Sequence, residues 1–412
     1  MSERPQAPRG TYDVLPDQDA ARQAVVDTAR EILGGAGYRR VETPIFEQTD
    51  LFSRGVGAST DIVQKEMYTL EDQGGRSLTL RPEGTAPIMR AYAEHGMQKL
   101  PQPVKLWYFG PFFRQEKPQA GRYRQFWQVG CEAIGSDDPA VDAESILLLH
   151  TLMGELGVRD VRLRLSSLGT PETRAAYRDK LVAHLRANED RLSEEVRSRI
   201  DLNPLRAFDA DHPGTRDVMR DAPLLLDHLA PEDAEHFAEV RARLDAAGIQ
   251  YEIDPTLVRG IDYYTRTLFE LTSDALGAQS GVGGGGRYDG LAEQLGLPRT
   301  PGIGWAAGIE RILLAGDQRH DGAVPCDLYV AGTDVTAFTL AAEARRAGLN
   351  VQLELAGRSR KGQLKQADRS GARYVAILGE EETILKDLES GEQEQVDAAA
   401  VVAHVLKGRH LS

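Results

Sequence analysis

The chain has 412 residues, of which 41% are hydrophobic and 27% charged, a composition typical of a globular protein with two or three domains. Its net charge of −14 argues against general nucleic-acid binding, although a local basic patch can still bind one RNA. Two distant cysteines and no paired metal-ligand spacing argue against a disulfide framework and a metal site. The polar start and the lack of an apolar run near ~20 residues predict a cytoplasmic protein without a membrane span.

The chain begins with a predicted helix and strand. Residues 9–16 read R-G-T-Y-D-V-L-P and form a short polar lead-in. Residues 17–36 are alanine-rich with helical spacing and stop at a run of glycines, which predicts a helix that ends there. Residues 41–46 read as the start of a strand with Pro44 at its edge.

A strand, a turn and a helix follow at residues 77–92, which read S-L-T-L-R-P-E-G-T-A-P-I-M-R-A-Y. The turn places Glu83 and Thr85 at the N-terminus of a helix that begins at Ala86. One interpretation is plain capping, with Thr85 as the N-cap and Glu83 near the positive end of the helix dipole. The alternative is that both side chains hold the amino group of an amino acid.

Residues 105–135 predict a β-hairpin with a long polar tip. Alternation puts Gln128, Gly130 and Glu132 on one face of the return strand. Because glycine leaves a gap between the amide and the carboxylate, a small polar ligand could lie there. Three cations lie at the end of the outgoing strand and in the tip: Arg114, Arg122 and Arg124. The alternative is a hairpin with one solvent-exposed face.

The sequence pattern changes over the next hundred residues. Residues 142–156 predict a helix and residues 161–165 a strand. Thr170 is the predicted N-cap of a helix, and the charge-rich helical sequence that follows is broken twice at prolines. We interpret residues 170–247 as a helical module inserted within a catalytic domain spanning residues 1–320. The alternative is that this segment is more of the same core domain.

Two unusual strings follow the predicted module. Residues 257–264 read L-V-R-G-I-D-Y-Y, and residues 281–290 read G-V-G-G-G-G-R-Y-D-G. The glycine run lacks the Lys-Ser/Thr pair of a P-loop and the spacing of a Rossmann turn. It predicts either a flexible loop or backbone that closely approaches a ligand.

Residues 301–315, P-G-I-G-W-A-A-G-I-E-R-I-L-L-A, predict a strand followed by a helix. Gly302, Gly304 and Ala306 share a face that has almost no side chains, so a flat ring could lie against it while Trp305 packs behind. The alternative is a strand packed tightly under a helix.

The final segment, residues 326–412, alternates between strand and helix and predicts a small α/β domain. Four cations are spaced to share one face of a helix predicted at residues 358–370: Arg358, Lys361, Lys365 and Arg369. A solvated helix face and an RNA contact remain equal alternatives.

Several of these strings resemble class II aminoacyl-tRNA synthetases. The helix and strand before residue 47 resemble motif 1, the hairpin at residues 114–126 resembles motif 2, and residues 301–315 resemble motif 3. R-P-E-G-T at residues 81–85, together with the tyrosine and glycine strings, resembles the histidyl-tRNA synthetase family in particular. The last domain resembles the anticodon-binding domain of the synthetases for histidine, proline, threonine and glycine. The resemblance covers nearly the whole chain.

The fold that this resemblance implies is α+β. It has a class II catalytic domain with a mixed, mainly antiparallel sheet, a helical insertion and a C-terminal α/β anticodon-binding domain. The implied activity is ATP-dependent formation of histidyl-adenylate from L-histidine and transfer to the 3′-OH of the terminal adenosine of tRNA-His. A homodimer and Mg²⁺ on the outer phosphates are implied as well.

In-line attack on the α-phosphate builds negative charge that fixed cations stabilise. The resemblance implies two catalytic cations, Arg114 and Arg259. It implies contacts to histidine from Glu83, Thr85, Gln128, Glu132, Arg259, Tyr263, Tyr264 and Tyr288. It implies contacts to ATP from Arg114, Glu116, Arg122 and Arg311. It implies contacts to tRNA from Arg124, Arg358, Lys361 and Lys365.

Three other classes of protein compete with this interpretation. A regulatory subunit of ATP phosphoribosyltransferase resembles the same catalytic domain, but it usually lacks the last domain and the catalytic arginines. A synthetase for proline or threonine would lack the strings at residues 258–264 and 283–290. An RNA-binding protein without catalysis would not need so many site residues.

Overall fold

The computed structural model describes residues 4–57, 60–277, 280–316, 326–379 and 382–409, and the chain divides into two compact units, Met1–His320 and Asp321–Ser412. The helices of the first unit are α1 (Pro16–Gly35), α2 (Thr49–Gly55), α3 (Thr85–Glu94), α4 (Pro139–Glu155), α5 (Pro171–Ala187), α6 (Glu194–Arg199), α7 (Pro213–Arg220), α8 (Pro231–Ala246), α9 (Leu291–Gln294) and α10 (Ile309–Ala315). Its strands are β1 (Arg39–Arg40), β2 (Phe46–Gln48), β3 (Tyr68–Glu71), β4 (Ser77–Leu80), β5 (Val104–Phe113), β6 (Gln125–Ile134), β7 (Val161–Ser167), β8 (Glu252–Ile253), β9 (Thr265–Ser273), β10 (Gly281–Arg287) and β11 (Gly302–Gly308). Short helical turns of 3₁₀ or π type lie at Ile62–Glu66, Met97–Lys99, Glu189–Arg191, Pro204–Asp209, Leu225–His228 and Asp274–Leu276.

The first unit is built on a mixed sheet whose described strands run in the order β1-β5-β6-β11-β10-β9-β7-β8. The pairs β1–β5 and β7–β8 at its two ends are parallel, and the pairs between them are antiparallel. A smaller antiparallel sheet has the order β2-β4-β3. The predicted α+β fold with a mainly antiparallel sheet is therefore confirmed.

The two faces of the large sheet pack into different cores. Val129, Cys131 and Ala133 of β6 belong to a cluster with α1, α4 and α8. Phe126 and Ile134, on the opposite face of β6, pack with the helices of the segment that follows β7. The alternation predicted for β6 is confirmed, because a strand's side chains alternate between its faces.

The glycine run is a strand in the middle of the sheet, so the flexible-loop interpretation is wrong. Gly284 pairs with Glu270 of β9 on one side and with Ala306 of β11 on the other. A Cβ on Gly285 would overlap the carbonyl oxygen of Gly304. The glycines therefore let three strands approach closely, and the absence of side chains opens space on the sheet's surface.

Two local predictions near the N-terminus need correction. The strand expected at residues 41–46 is split, because β1 ends at Arg40 and β2 begins at Phe46. Thr85 is the first residue of α3 and Gly84 is its N-cap. The cap is supplied by the carboxylate of Glu83, which accepts from the backbone N–H of Thr85 at 2.7 Å and of Ala86 at 3.0 Å.

The helices α5 to α8 lie in the chain between β7 and β8, whose strands pair with each other. As predicted, Thr170 caps α5. Asp233 of α8 accepts from the backbone N–H of Thr170 at 2.8 Å, from the hydroxyl of Thr173 at 2.7 Å and from Nε of Arg266 at 3.0 Å. One buried carboxylate therefore ties the first helix of this segment, its last helix and strand β9 together. An insertion spanning residues 170–247 remains our proposal.

The second unit contains strands β12 (Cys326–Ala331), β13 (Val351–Leu353), β14 (Ala372–Leu378), β15 (Thr383–Asp387) and β16 (Gln393–Val396), with helices α11 (Val335–Arg346), α12 (Arg360–Arg369) and α13 (Ala398–Arg409). Its described strands run in the order β13-β12-β14-β15-β16, parallel among the first three and antiparallel among the last three. The predicted α/β arrangement is confirmed.

One residue of the predicted basic face lies outside its helix. Ser359 is the N-cap of α12, so Arg358 precedes the helix. The buried carboxylate of Glu354 holds Arg358 through both the backbone N–H and the guanidinium, at 3.3 and 3.2 Å. Arg358 is therefore fixed at the helix entrance instead of sharing a helix face with the two lysines.

Candidate active site

A cavity of about 600 Å³ opens on the large sheet of the first unit. The floor is formed by β6, β9, β10 and β11, and the rim by the α3 entrance, the hairpin tip, the 254–264 loop and the turn at Pro204–Asp209. Eleven of the twelve residues predicted to contact histidine or ATP line this cavity: Glu83, Thr85, Arg114, Glu116, Arg122, Gln128, Arg259, Tyr263, Tyr264, Tyr288 and Arg311. The twelfth, Glu132, is fully buried directly behind Thr85.

Glu83 and Thr85 form the end of the cavity next to α3. Besides capping the helix, the carboxylate of Glu83 accepts a hydrogen bond from Tyr263 at 3.3 Å. Burial raises the pKa of Glu83, and the backbone N–H groups of Ala86 and Thr85 oppose that rise. Capping and ligand binding are therefore compatible uses of one carboxylate.

Glu132 lies beneath Glu83 and Thr85. Its two oxygens accept hydrogen bonds from the hydroxyl of Thr85 at 2.7 Å and of Tyr288 at 2.6 Å. Burial raises the pKa of Glu132 to about 8, and these two hydroxyl donors limit the rise. Thr85 thus links two buried carboxylates, donating its N–H to Glu83 and its hydroxyl to Glu132.

The gap predicted at Gly130 is filled by protein. Gly130 pairs with Tyr108 of β5, and a Cβ on Gly130 would overlap the phenol ring of Tyr108. Likewise, a Cβ on Gly302 would overlap the ring of Tyr288, and one on Gly304 would overlap the Glu132 carboxylate. These glycines make room for side chains of the site, while Gln128 and Ala306 line the open cavity.

Gln128 offers an unused acceptor to the cavity. Its Oε1 is buried and accepts no hydrogen bond from the residues that the structure describes. A buried polar atom without a partner costs free energy, so it is expected to pair when a ligand with an N–H group binds.

Arg259 is held by a chain of alternating charges. Its guanidinium donates to the carboxylate of Glu270 on β9. Glu270 also accepts from Arg164 of β7 at 3.2 Å, and Arg164 in turn donates from Nε to Asp254 at 2.6 Å. Asp254 lies at the start of the loop that carries Arg259. This series of ion pairs therefore fixes both the loop and the Arg259 guanidinium over the glycine strand.

The hairpin tip supplies a second group of cations. Arg114 donates from Nε to the carbonyl of Pro82 at 2.9 Å and lies over the ring of Phe126. Glu116 lies 3.7 Å from Arg114 and 3.4 Å from Arg122. Arg114 and Arg122 thus share one carboxylate at the wider end of the cavity.

Arg311 reaches this group from α10. It donates to the carbonyls of Gly121 in the tip and Gly281 on β10. Burial lowers the pKa of Arg311, and the neighbouring Arg122 lowers it further. An anion between these guanidinium groups would relieve their repulsion.

The prediction missed three groups of residues that shape the cavity. Glu270 and Arg164 become neighbours only through the pairing of β7 with β9. Tyr108 is brought in by the register of β5 with β6. The turn at Pro204–Asp209 contributes further wall residues: Arg206, Phe208 and Asp209. Their local sequence carried no signal, because each is defined by a contact between distant segments.

Polar contacts connect the region around the 204–209 turn to residues outside the helical segment. Asp61, which also lines the cavity, lies 3.1 Å from Arg199 and 3.5 Å from Arg206. Asn203 donates to the carboxylate of Asp262 at 3.0 Å. The helical segment therefore covers one side of the cavity through polar contacts that water and salt can compete for.

The predicted tRNA residues lie outside the cavity. Arg124 donates from Nε to the carbonyl of Glu116 at 3.3 Å and from Nη1 to the carbonyl of Arg9 at 3.3 Å. The other three residues belong to the second unit: Arg358, Lys361 and Lys365. Arg287, which the glycine string placed beside Tyr288, is fully buried and pairs with Asp142 and Asp289.

In the part of the chain that the structure describes, no helix is long and apolar enough to span a membrane.

A mainly antiparallel sheet that presents an arginine-bearing hairpin, a glycine-rich strand and a helix-capping carboxylate to one cavity defines a class II aminoacyl-tRNA synthetase. Comparison with known proteins identifies the family. The family model described as Histidyl-tRNA synthetase matches residues 10–312, and the model described as Anticodon binding domain matches residues 330–408. The chain belongs to the histidyl-tRNA synthetase family.

Individual relatives agree with this assignment over nearly the full chain. The chain is 48% identical over 412 residues to the histidine–tRNA ligase of Moorella thermoacetica, covering 97% of each protein. It is 50% identical over 401 residues to that of Halorhodospira halophila, covering 94% of this chain and 95% of the relative. The apo histidyl-tRNA synthetase of S. aureus superposes with a TM-score of 0.82 at 36% identity, covering 98% of this chain and all of that one.

Proposed function

We propose a residue-by-residue route by which this chain carries out its family's reaction, the ATP-dependent attachment of histidine to tRNA. The observation that supports it best is the single cavity shared by two chemically different groups. Polar groups suited to an amino acid lie at its buried end, and arginines suited to phosphates lie at its wider end.

At the buried end, Glu83, Thr85 and Oε1 of Gln128 take the ammonium group of histidine, and Arg259 or the side-chain N–H of Gln128 takes its carboxylate. Glu132 would accept from one ring N–H by exchanging part of its hydrogen bonding to Thr85 or Tyr288. The hydroxyl of Tyr264 completes the contacts to the ring, with Tyr263 and Tyr288 lining it. Such a buried site rejects amino acids that lack the ring N–H, because its polar groups would be left unpaired.

At the wider end, Arg114 and Arg259 flank the α-phosphate, Glu116 reads the adenine amino group, and Arg122 and Arg311 hold the outer phosphates and ring. Attack by the histidine carboxylate adds negative charge to the phosphate oxygens. Cations already held in place stabilise that charge without reorganising. Arg259 would exchange part of its pairing with Glu270 for the phosphate.

Mg²⁺ would supply further positive charge on the outer phosphates. Mg²⁺ in nucleotide sites is commonly held by one or two carboxylates together with substrate phosphates. Glu270 is a carboxylate on the cavity wall that fits this donor set.

For transfer, we propose that tRNA-His contacts the chain at three places. The segment at residues 170–247 covers the acceptor end, Arg124 contacts it beside the hairpin tip, and Arg358, Lys361 and Lys365 contact the anticodon. The positive charge of the last group supports an anionic partner despite the acidic chain.

We further propose a cytoplasmic homodimer. Ile45 and Phe46, in the segment that resembles motif 1, are 45% and 54% exposed, and Leu70 on β3, the opposite outer strand of the small sheet, is 46% exposed. An apolar patch of this kind on a small sheet is suited to burial against a second copy.

ATP–pyrophosphate exchange tested separately with each of the twenty amino acids distinguishes the competing functions. Exchange that depends on L-histidine alone supports the proposal. Exchange with proline or threonine would indicate another synthetase, and histidine binding without exchange would indicate a regulatory subunit. Glu83→Ala and Arg259→Ala should each abolish histidine-dependent exchange. Near-normal exchange in both variants would refute the residue assignment.

A further inference from the structure

The lead-in before α1 is fastened to the hairpin tip. The backbone N–H of Arg124 donates to the carbonyl of Gly10 at 2.7 Å, and the ring of Tyr12 lies 4.6 Å from the ring of Tyr123. Gly10 has a φ of +87°, and a Cβ there would lie 2.8 Å from Pro118 and 2.9 Å from Arg124. The tip therefore rests directly on residues 10–12.

The same lead-in is fastened to α10. The hydroxyl of Tyr12 donates to Oε1 of Glu310 at 2.6 Å. Glu310 is 8% exposed, and it also accepts from the backbone N–H of Trp127 on β6 at 3.0 Å. Glu310 directly precedes Arg311, so its carboxylate fixes the first turn of α10 against β6.

A third contact joins α10 to the hairpin tip, because Arg311 donates from Nε to the carbonyl of Gly121 at 3.4 Å. The tip is thus held at its far end by α10 and at its base by the lead-in. Tyr12 joins these two supports, because its ring contacts the tip and its hydroxyl contacts α10.

We infer that Tyr12 is a positioning residue for ATP, holding the hairpin tip and Arg311 at a fixed separation around the nucleotide end of the cavity. The inference rests on the proposed function in that the tip and Arg311 bind ATP. Tyr12 does not line the cavity and touches no reacting atom. Its effect should therefore appear in ATP binding and leave histidine binding unchanged, because the histidine end is formed by other elements.

Tyr12→Phe keeps the ring on Tyr123 and removes the hydroxyl from Glu310. We expect both the Kd of ATP, measured by isothermal titration with the full chain, and the KM for ATP in exchange to rise roughly five- to tenfold, since the lost bond is made to a carboxylate. The KM for histidine should stay within about twofold. Gly10→Ala, whose added methyl group would push on the tip from the same lead-in, should likewise raise the KM for ATP and leave the KM for histidine within about twofold.

Tyr92→Phe is the matched control. The Tyr92 hydroxyl donates to Gln102 at 3.2 Å, away from the cavity, so this variant should bind ATP as the unmodified protein does. An unchanged ATP Kd in Tyr12→Phe, or parallel losses for ATP and histidine, would overturn the inference. Absence of histidine-dependent exchange in the unmodified protein would instead refute the proposed function, and the ATP Kd ratio would still decide the role of Tyr12.

Discussion

The hydroxyl of Tyr288 donates a 2.6 Å hydrogen bond to the carboxylate of Glu132, a residue 156 positions earlier in the chain. A Cβ on Gly302 or Gly304 would occupy the space that the Tyr288 ring or the Glu132 carboxylate fills. The glycines of β11 therefore create the site indirectly, by admitting two large polar side chains beneath the cavity. Three of the predictions below concern this arrangement and the ion pairs around it.

The first prediction concerns pH. Burial raises the pKa of Glu132 from its ordinary 4.5 to about 8. Between these values the folded protein retains a proton that the unfolded chain has released, so this group makes the folded state less stable as pH rises towards 8. Glu132→Gln removes the effect. The free energy of unfolding of this variant minus that of the unmodified protein should therefore increase by at most about 1.4 kcal/mol per pH unit in this window.

Urea unfolding followed by tryptophan fluorescence at pH 5.5, 7 and 8.5 measures this difference, since Trp107, Trp127 and Trp305 all lie in the first unit. Glu252→Gln, an exposed carboxyl on β8, is the control and should show no pH-dependent difference. Parallel profiles for Glu132→Gln and the unmodified protein would contradict the assignment of a proton to Glu132.

The second prediction concerns Gly304→Ala. The added methyl group would meet the Glu132 carboxylate and displace it from Tyr288 and Thr85, so histidine-dependent exchange should fall about 100-fold, as for a misplaced substrate-positioning group. Gly290→Ala is the control, because a Cβ there meets no atom within 4 Å. Equal exchange rates in the two variants would argue against this account of β11.

The third prediction concerns the chain of charges behind Arg259. Arg164→Met and Glu270→Gln should each lower the kcat of exchange, and their effects should be non-additive by about 1 kcal/mol, because both act through one guanidinium. Arg162→Met, on the same strand but paired at the surface with Asp274, should leave kcat unchanged. Strict additivity in the double variant would mean that Glu270 does not mediate the effect of Arg164.

The fourth prediction concerns the cover over the cavity. Asp61→Asn weakens the contacts to Arg199 and Arg206, so the KM values for histidine and ATP should rise about two- to fivefold. Because these contacts are partly exposed, 0.5 M salt, at which the Debye length is about 4 Å, should reproduce much of the rise in the KM for histidine in the unmodified protein but add little to it in the variant. Equal salt dependence in the two proteins would argue against a role for the contacts of Asp61 with Arg199 and Arg206.

The fifth prediction separates the second unit from the first. Lys361→Glu with Lys365→Glu should reduce aminoacylation of tRNA-His at least tenfold and flatten its dependence on salt, because fewer phosphates would be neutralised. ATP–pyrophosphate exchange should be unaffected. Lys386→Glu on β15 together with Lys407→Glu on α13 is a control of equal charge change in the same unit. A matching loss in that control would point to net charge instead of a specific contact.

The sequence alone determined the features that depend on short-range patterns. The alternation of β6, the capped entrance of α5, the α/β order of the second unit and the strings around Glu83 and Arg259 are all local, so their residue types could be recognised before any contact was known. Eleven of the residues that the family resemblance of these strings implied line one cavity.

Only the tertiary structure decided what lies opposite each of these strings. Pairing across the sheet placed Tyr108 over Gly130, turned the glycine run into a central strand and set Glu270 beside Arg164. It also brought Tyr12 to Glu310, a partner 298 residues away. Such contacts depend on how two distant segments pair and pack, so the residue pattern of one segment alone does not reveal its partner.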